Sequence, residues 1–245
     1  GRNVSGDASR LVLSLDIAVQ PRFRVQYQKI LGEEKYWWWR SEVMGEFLAQ
    51  KFFLAGEVAD NLKSRYVQFD NQINLNLESR RDYVGLGLNY EFNRIVPEVN
   101  PDINDNIFGL RSYTFKNIEA TAHYFYKRFN QPFYPTEGTF VRAFLSRSFL
   151  HDVILEYSDP SEPIVDGSTN GFTKFGVDFE RRMSFSDKIT GIVSANLAFN
   201  FQDAMKSGDL SFTDFGYTAN YSLGGVIATP RRGTYVFPGF HEDEL

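Results

Sequence analysis

Three histidines, His123, His151 and His241, are the first residues to test for chemistry in this chain of 245 residues. They are scattered, and no H-E-x-x-H or other paired spacing points to zinc. His123 falls on the polar parity of an alternating run and is placed on an inward face. No G-x-S-x-G elbow, phosphate-binding P-loop or G-x-G-x-x-G opening a helix occurs; Gly85-Leu86-Gly87 lies inside a strand-like run. Cysteine is absent, which removes thiolate metal sites and disulfides. Glu98, Asp102 and Asp105 crowd a Pro-, Asn- and Asp-rich stretch from Arg94 to Leu110, but their spacing matches no established calcium loop, and a solvated loop accounts for them. Trp37, Trp38 and Trp39 could stack a ligand; an interfacial aromatic belt is the preferred reading. Arg231 and Arg232 could touch a lipid phosphate, or lie in a solvated loop. No catalytic residue, metal site or cofactor is expected.

The elements that would position these residues are strands. From Thr173, the residues Thr173, Phe175, Val177 and Phe179 alternate with Lys174, Gly176, Asp178 and Glu180. Successive side chains of a strand point to opposite faces. One face is aromatic and the other carries Lys174, Asp178, Glu180 and Arg182. A polar turn near Ser184–Asp187 follows. Then Ile189, Gly191, Val193, Ala195, Leu197, Phe199 and Phe201 share one face. That run is longer than the roughly 5–6 residues of an ordinary strand. It reaches the roughly 9–11 residues that a tilted strand needs to cross a bilayer.

Composition agrees with a protein of this kind. The formal charge is -5, which argues against a nucleic-acid partner. Aromatics make up 16% of the chain, enough for a wide apolar band with girdles. The mean hydropathy of -0.34 is what a polar residue at every second strand position produces. No apolar run approaches the roughly 18 residues of a transmembrane helix. Gly1–Arg10 is polar and does not read as a signal peptide.

Further alternating runs cover Arg10–Gln20, Phe23–Tyr27, Val67–Leu77, Val84–Phe92, Ile118–Tyr126, Val141–Leu145 and Phe215–Leu223, with a last candidate at Thr234–Phe237. Arg142 joins the charged face. Lys51–Ser64 has no clear period and reads as a loop or helical turn. About ten strands result. Short links near Ser79–Asp82 and Ser184–Asp187 alternate with long ones at Arg94–Leu110 and Tyr157–Gly171, as in transmembrane barrels. The expected fold is all-β, an antiparallel transmembrane β-barrel; a soluble β-sandwich is the rival. On the barrel reading, an arginine at Val177 costs about 2–4 kcal/mol near the midplane, and one at Gly176 costs less.

A resemblance adds to this. Pro132-Phe133-Tyr134-Pro135-Thr136-Glu137-Gly138-Thr139-Phe140 resembles the P-T-x-G turn that introduces a barrel strand in the Omp85 superfamily. Pro135 fixes φ, and Gly138 permits a positive φ. Leu223-Gly224-Gly225 resembles that family's L-G-G at a strand end. Phe237-Pro238-Gly239-Phe240 falls where the family carries an R-G-F/Y loop motif folded into the lumen. Pro238 stands in the place of the family's arginine, so that arginine's contact is not carried over. The wording is most similar to the C-terminal barrel of patatin-like phospholipases of the Bacteroidetes type, in which a lipase domain and a periplasmic POTRA-like module precede the barrel.

The resemblance implies several expectations. Residues 1–21 would end the POTRA-like module or form a linker, and residues 22–245 would form most of a sixteen-stranded barrel lacking its last strands. The barrel would sit in the bacterial outer membrane, against lipid and lipopolysaccharide. It would anchor or translocate a patatin-like passenger domain, without an enzymatic role of its own. An Omp85-type assembly or secretion factor, working on other outer-membrane proteins, and a passive porin are the alternatives.

Overall fold

The computed structural model describes residues 9–17, 21–54, 57–79, 81–97, 109–186, 188–204, 222–223 and 234–235. Among them there is no helix. One ten-stranded sheet holds β1 (Ser9–Asp16), β2 (Arg22–Leu31), β3 (Trp37–Leu54), β4 (Glu57–Ser79), β5 (Asp82–Pro97), β6 (Leu110–Phe129), β7 (Gly138–Tyr157), β8 (Val165–Ser168), β9 (Phe172–Ser186) and β10 (Ile189–Gln202). Each strand pairs antiparallel with its neighbour in chain order, except that β9 skips β8, which folds back on β7. β1 and β10 do not pair with each other, so the sheet is open among the described residues. A separate two-residue pair, β11 (Ser222–Leu223) with β12 (Thr234–Tyr235), is parallel. The rest of the expected Phe215–Leu223 strand lies outside the described residues.

The strands exceed what alternation alone delimits. β4 runs 23 residues and β6 and β7 run 20 each. Of the stretch Lys51–Ser64, expected as a loop or helical turn, Lys51–Leu54 and Glu57–Ser64 are instead the paired ends of β3 and β4, with Lys51 opposite Asn61 and Leu54 opposite Glu57. β1 pairs with β2 over eight residues, so the two runs flanking Pro21 form one ribbon. Between Ile118 and Glu119 the β6–β7 register shifts, leaving Phe149 as an extra residue on β7; such bulges bend a strand and increase its twist.

The turn between β6 and β7 is knitted by one side chain. Asn130 accepts from the backbone N–H of Thr136 and Glu137, both at 3.2 Å, and donates to Thr136 Oγ1 at 2.8 Å. Its own N–H donates to the Glu137 carbonyl. Gly138 then opens β7 at φ 133°. A Cβ there would lie 2.1 Å from the Arg128 carbonyl oxygen, so only glycine fits. The Pro135 carbonyl accepts from Arg182 Nη1 at 3.1 Å, tying the turn to β9.

All contacts between elements are contacts between hydrogen-bonded neighbours, so no second layer covers the sheet among the described residues. Side chains on one face are nevertheless buried. A single layer hides one face from water only by curling around it, and this sheet curls around the face that bears Asn74, Asn89, Asn93 and Asn117. That is called the asparagine face below; its reverse, bearing Leu86 and Leu88, is the leucine face.

Candidate functional site: the two faces of the sheet

Through the middle of the sheet the leucine face carries Phe69, Ile73, Leu75 and Leu77 on β4, and Val84, Leu86, Leu88, Tyr90 and Phe92 on β5. On β6 it carries Ile118, Ala120, Ala122, Tyr124 and Tyr126. These side chains meet solvent: Leu86 is 67% exposed and Leu88 55%. Val193 and Leu197 on β10 are likewise exposed, and the Phe175 ring stacks on Phe199, centroids 6.3 Å apart. The opposite face holds Gln68, Asp70, Gln72, Asn74, Asn89, Glu91, Asn93, Asn117 and Glu119, and there Asn74 and Asn93 are 0% exposed. A soluble protein places these classes the other way round.

Many side chains of the buried polar face bond to one another. Ser64 Oγ donates to Asn93 Oδ1 at 2.6 Å, Gln68 Nε2 to Asn89 Oδ1 at 2.8 Å, and Asn117 Nδ2 to Glu119 Oε1 at 2.8 Å. His123 Nε2 lies 2.7 Å from Asn74 Oδ1, on the inward face where alternation places it. Arg22–Glu46 at 2.7 Å, Arg24–Glu42 at 2.7 Å and Arg40–Asp70 at 2.9 Å continue the pairing toward β2. Burying polar groups in this way is tolerable only when they find partners.

The charged residues singled out from the sequence share this face. Arg142 Nε donates to Asp178 Oδ2 at 2.6 Å, and the two are register partners. Lys174 Nζ lies 3.8 Å from Glu119 Oε1 and 5.1 Å from the Phe172 ring centroid. Arg182 Nε donates to Glu180 Oε1 at 2.5 Å. Sequence reasoning did not single out Glu119, whose partner comes from a strand about 55 residues away; its signal was only a carboxylate on the polar parity.

The tryptophans separate. Trp37 is 48% exposed, and Trp39 lies on the leucine face, edge-on to Tyr27 at 5.5 Å, with its Nε1–H donating to Asn71 Oδ1 at 3.0 Å. Trp38 does not belong to such a belt. It is 8% exposed on the asparagine face, and its Nε1–H donates to Asn76 Oδ1 at 3.0 Å. The period of two makes this unavoidable, because three consecutive strand residues cannot share a face. Trp38 begins an aromatic row instead: edge-on to Tyr83 at 5.0 Å, then Tyr83 stacked on Phe125 at 5.0 Å, then Phe125 edge-on to Phe140 at 5.6 Å. Gly176 also departs from expectation. A Cβ there would meet the Phe144 ring at 2.5 Å, so a larger side chain at Gly176 must displace that ring.

Toward the end of the sheet that carries the β5–β6 and β7–β9 connections, the two faces exchange character along the same strands. The asparagine face becomes a buried apolar cluster of Leu62, Ile95, Tyr113, Phe115, Val153, Leu155 and Phe172. The leucine face becomes Arg65, Arg94, Thr114, Lys116, Asp152 and Glu156. There Arg94 Nη2 lies 3.3 Å from Glu156 Oε2, and Ser112 Oγ donates to that oxygen at 2.9 Å. The level of exchange runs obliquely. Arg65 and Arg94 are register partners, Lys116 stands one step lower opposite Phe92, and Arg147 lower still opposite Ala120. An oblique boundary is what a plane makes when it cuts tilted strands.

Among the described residues no three His, Asp or Glu side chains gather as metal ligands. Glu98, Asp102 and Asp105, and of the motif residues Gly224, Gly225, Phe237, Gly239 and Phe240, lie outside the described residues, as do Arg231, Arg232 and His241.

Fold and faces together define a class: an all-β protein built on one antiparallel sheet, through its middle polar and largely buried on one side, apolar and bare on the other. No family model, curated protein or solved structure matches this chain.

Proposed function

We propose that this chain is a bacterial outer-membrane β-barrel segment, with its leucine face against hydrocarbon and its asparagine face lining the lumen. The observation that carries the reading is the exchange of polarity between the faces along continuous strands. A soluble sheet buries its apolar face from end to end. A strand that leaves a bilayer must trade faces at the water boundary, and β4 to β7 do so. The apolar run on β5, Val84–Phe92, spans nine residues. At about 3.4 Å per residue it measures about 27 Å along the strand, or about 21 Å along the normal at a tilt of about 40°. That is near the roughly 25 Å band of outer-membrane barrels. Lipid leaves no unpaired backbone unsatisfied, so the edges must be paired by further strands; sixteen in all is the number the Omp85 resemblance supplies.

Within that class, the Pro135-Thr136-x-Gly138 turn supports the Omp85 resemblance, and the function proposed is to anchor or translocate a patatin-like passenger domain. An assembly or secretion factor is the second reading of the same resemblance. A passive porin is disfavoured, because Glu119, Asn117, Asn93 and Ser146 are shut away from water and a conducting lumen keeps such groups hydrated. Refolding the full chain into phospholipid vesicles tests the membrane claim. Strands β4–β7 should resist protease, and the folded band should migrate faster than the heated one on a denaturing gel. A chain that remains monodisperse in buffer without detergent overturns the reading.

A further inference from the structure

We propose that two copies of this chain pair side by side in the membrane through Ser41 on β3 and Asn71 on β4; this rests on the membrane reading above. The two residues are register partners, and Asn71 in turn stands opposite Leu88. They belong to the leucine face, with Trp39 and Val43 beside Ser41 and with Phe69 and Ile73 beside Asn71. Each lies near the middle of its strand's apolar run, Trp37–Phe47 on β3 and Val67–Leu77 on β4. A hydroxyl and an amide thus interrupt the apolar face at the depth furthest from either water boundary.

Their bonding within the chain is incomplete. Asn71 Oδ1 accepts from Trp39 Nε1 at 3.0 Å, which fixes the amide and leaves Nδ2 without an acceptor among the described residues. Ser41 Oγ makes no hydrogen bond among the described residues. On a soluble surface water would complete both. At mid-bilayer a lipid offers only hydrocarbon, and a polar group left unbonded there is costly. What completes them must carry a hydrogen-bonding side chain at the same depth. A second copy does so by symmetry, because a two-fold axis along the bilayer normal leaves every residue at its own depth. With that axis between Ser41 and Asn71, the amide of each copy donates to the hydroxyl of the other, a reciprocal contact of the isologous kind. Hydrogen bonds from Ser and Asn side chains are a recurrent means of joining membrane segments. A groove of about 560 Å³ begins at Trp39 and Asn71 and crosses Leu88 and Ala120, so the face beside the polar pair is recessed where a neighbour's side chains would enter.

The chain has no cysteine, so the contact can be read by introducing one. In phospholipid vesicles holding the full chain, Asn71→Cys should form a disulfide between copies, since the axis brings the two thiols within reach of that bond. Leu197→Cys, exposed on β10, should not. Energy transfer between donor- and acceptor-labelled copies, diluted with lipid, gives the dimer dissociation constant. Ser41→Ala and Asn71→Leu should each raise it about ten-fold, because symmetry deletes the bond twice and each bond is worth about three-fold in a membrane. Ser41→Thr, which keeps the hydroxyl, should leave it unchanged. Ser41→Ala also leaves the Trp39–Asn71 bond in place, so its effect separates pairing from a merely local role of the amide. A constant unmoved by Ser41→Ala, or equal disulfide yields at residues 71 and 197, overturns the interface. A wild type that never enters bilayers defeats the membrane reading itself. One that enters and stays monomeric defeats only the pairing.

Discussion

Leu88 sits at the centre of the β5 apolar run and is 55% exposed, with Ala120 and Asn71 opposite it. Replacing it with arginine separates a membrane face from a bare soluble one. On a soluble surface such a change stays within about 0.5 kcal/mol. At a bilayer midplane an arginine on the lipid face of a barrel costs about 2–4 kcal/mol, or about 30- to 700-fold in the folding constant. The cost should fall with depth, so Val84→Arg, two alternations nearer the short-turn end, should cost about 0–1 kcal/mol. Urea unfolding of the full chain in vesicles, followed by tryptophan fluorescence, reads both values. A Leu88→Arg cost within about 0.5 kcal/mol, or equal costs at the two positions, would refute the assignment of this face to lipid.

Other outcomes follow from individual contacts. Gly138→Ala should cost at least about 1–3 kcal/mol, since it combines a disfavoured φ with a clash against backbone, and the folded fraction on a heat-modifiability gel should drop. Glu119→Ala should cost about 3–5 kcal/mol because it removes the carboxylate beside buried Lys174, which is 6% exposed, whereas the double variant with Lys174→Met should recover most of the loss in urea unfolding. In single-tryptophan variants, brominated lipid should quench Trp37 strongly and Trp38 weakly. Asp159, in the connection after β7, accepts the Ser161 N–H at 2.8 Å, which holds its carboxyl below the usual range. Its folded value is therefore below its unfolded one. The bond should support the loop above the ordinary Asp value and be lost as the pH falls through the folded value, as NMR titration of that carboxyl would show.

Much of the sheet was legible in the sequence because a period of two is a local signal. The hairpins β4–β5 and β9–β10 can be read directly from Phe69–Leu77, Val84–Phe92, Thr173–Phe179 and Ile189–Phe201. The strand ends were not legible, and the reason is physical. At Leu62 and Tyr66, large apolar or aromatic residues enter the parity that further along carries Asn74 and Asn76, while Lys63 and Arg65 take the other. A pattern that inverts midway looks like no pattern, so Lys51–Ser64 reads as a loop although Lys51–Leu54 and Glu57–Ser64 continue strands. On β7 the bulge at Phe149 adds a second phase shift, which hides Val153 and Leu155. The pairing of Lys174 with Glu119 and the row from Trp38 to Phe140 depend on which strands become neighbours, and alternation within one strand says nothing about that.

The turn clipped by Asn130 has a kinetic consequence. Its bonds join residues six and seven positions apart, so they form without waiting for distant strands, and the loop they close is short. The hairpin beyond it is one of the longest in the sheet, with Phe129 opposite Gly138 and Leu110 opposite Tyr157. Contacts this local form early. This hairpin should therefore be among the early ones to form, with its register already set by one amide side chain.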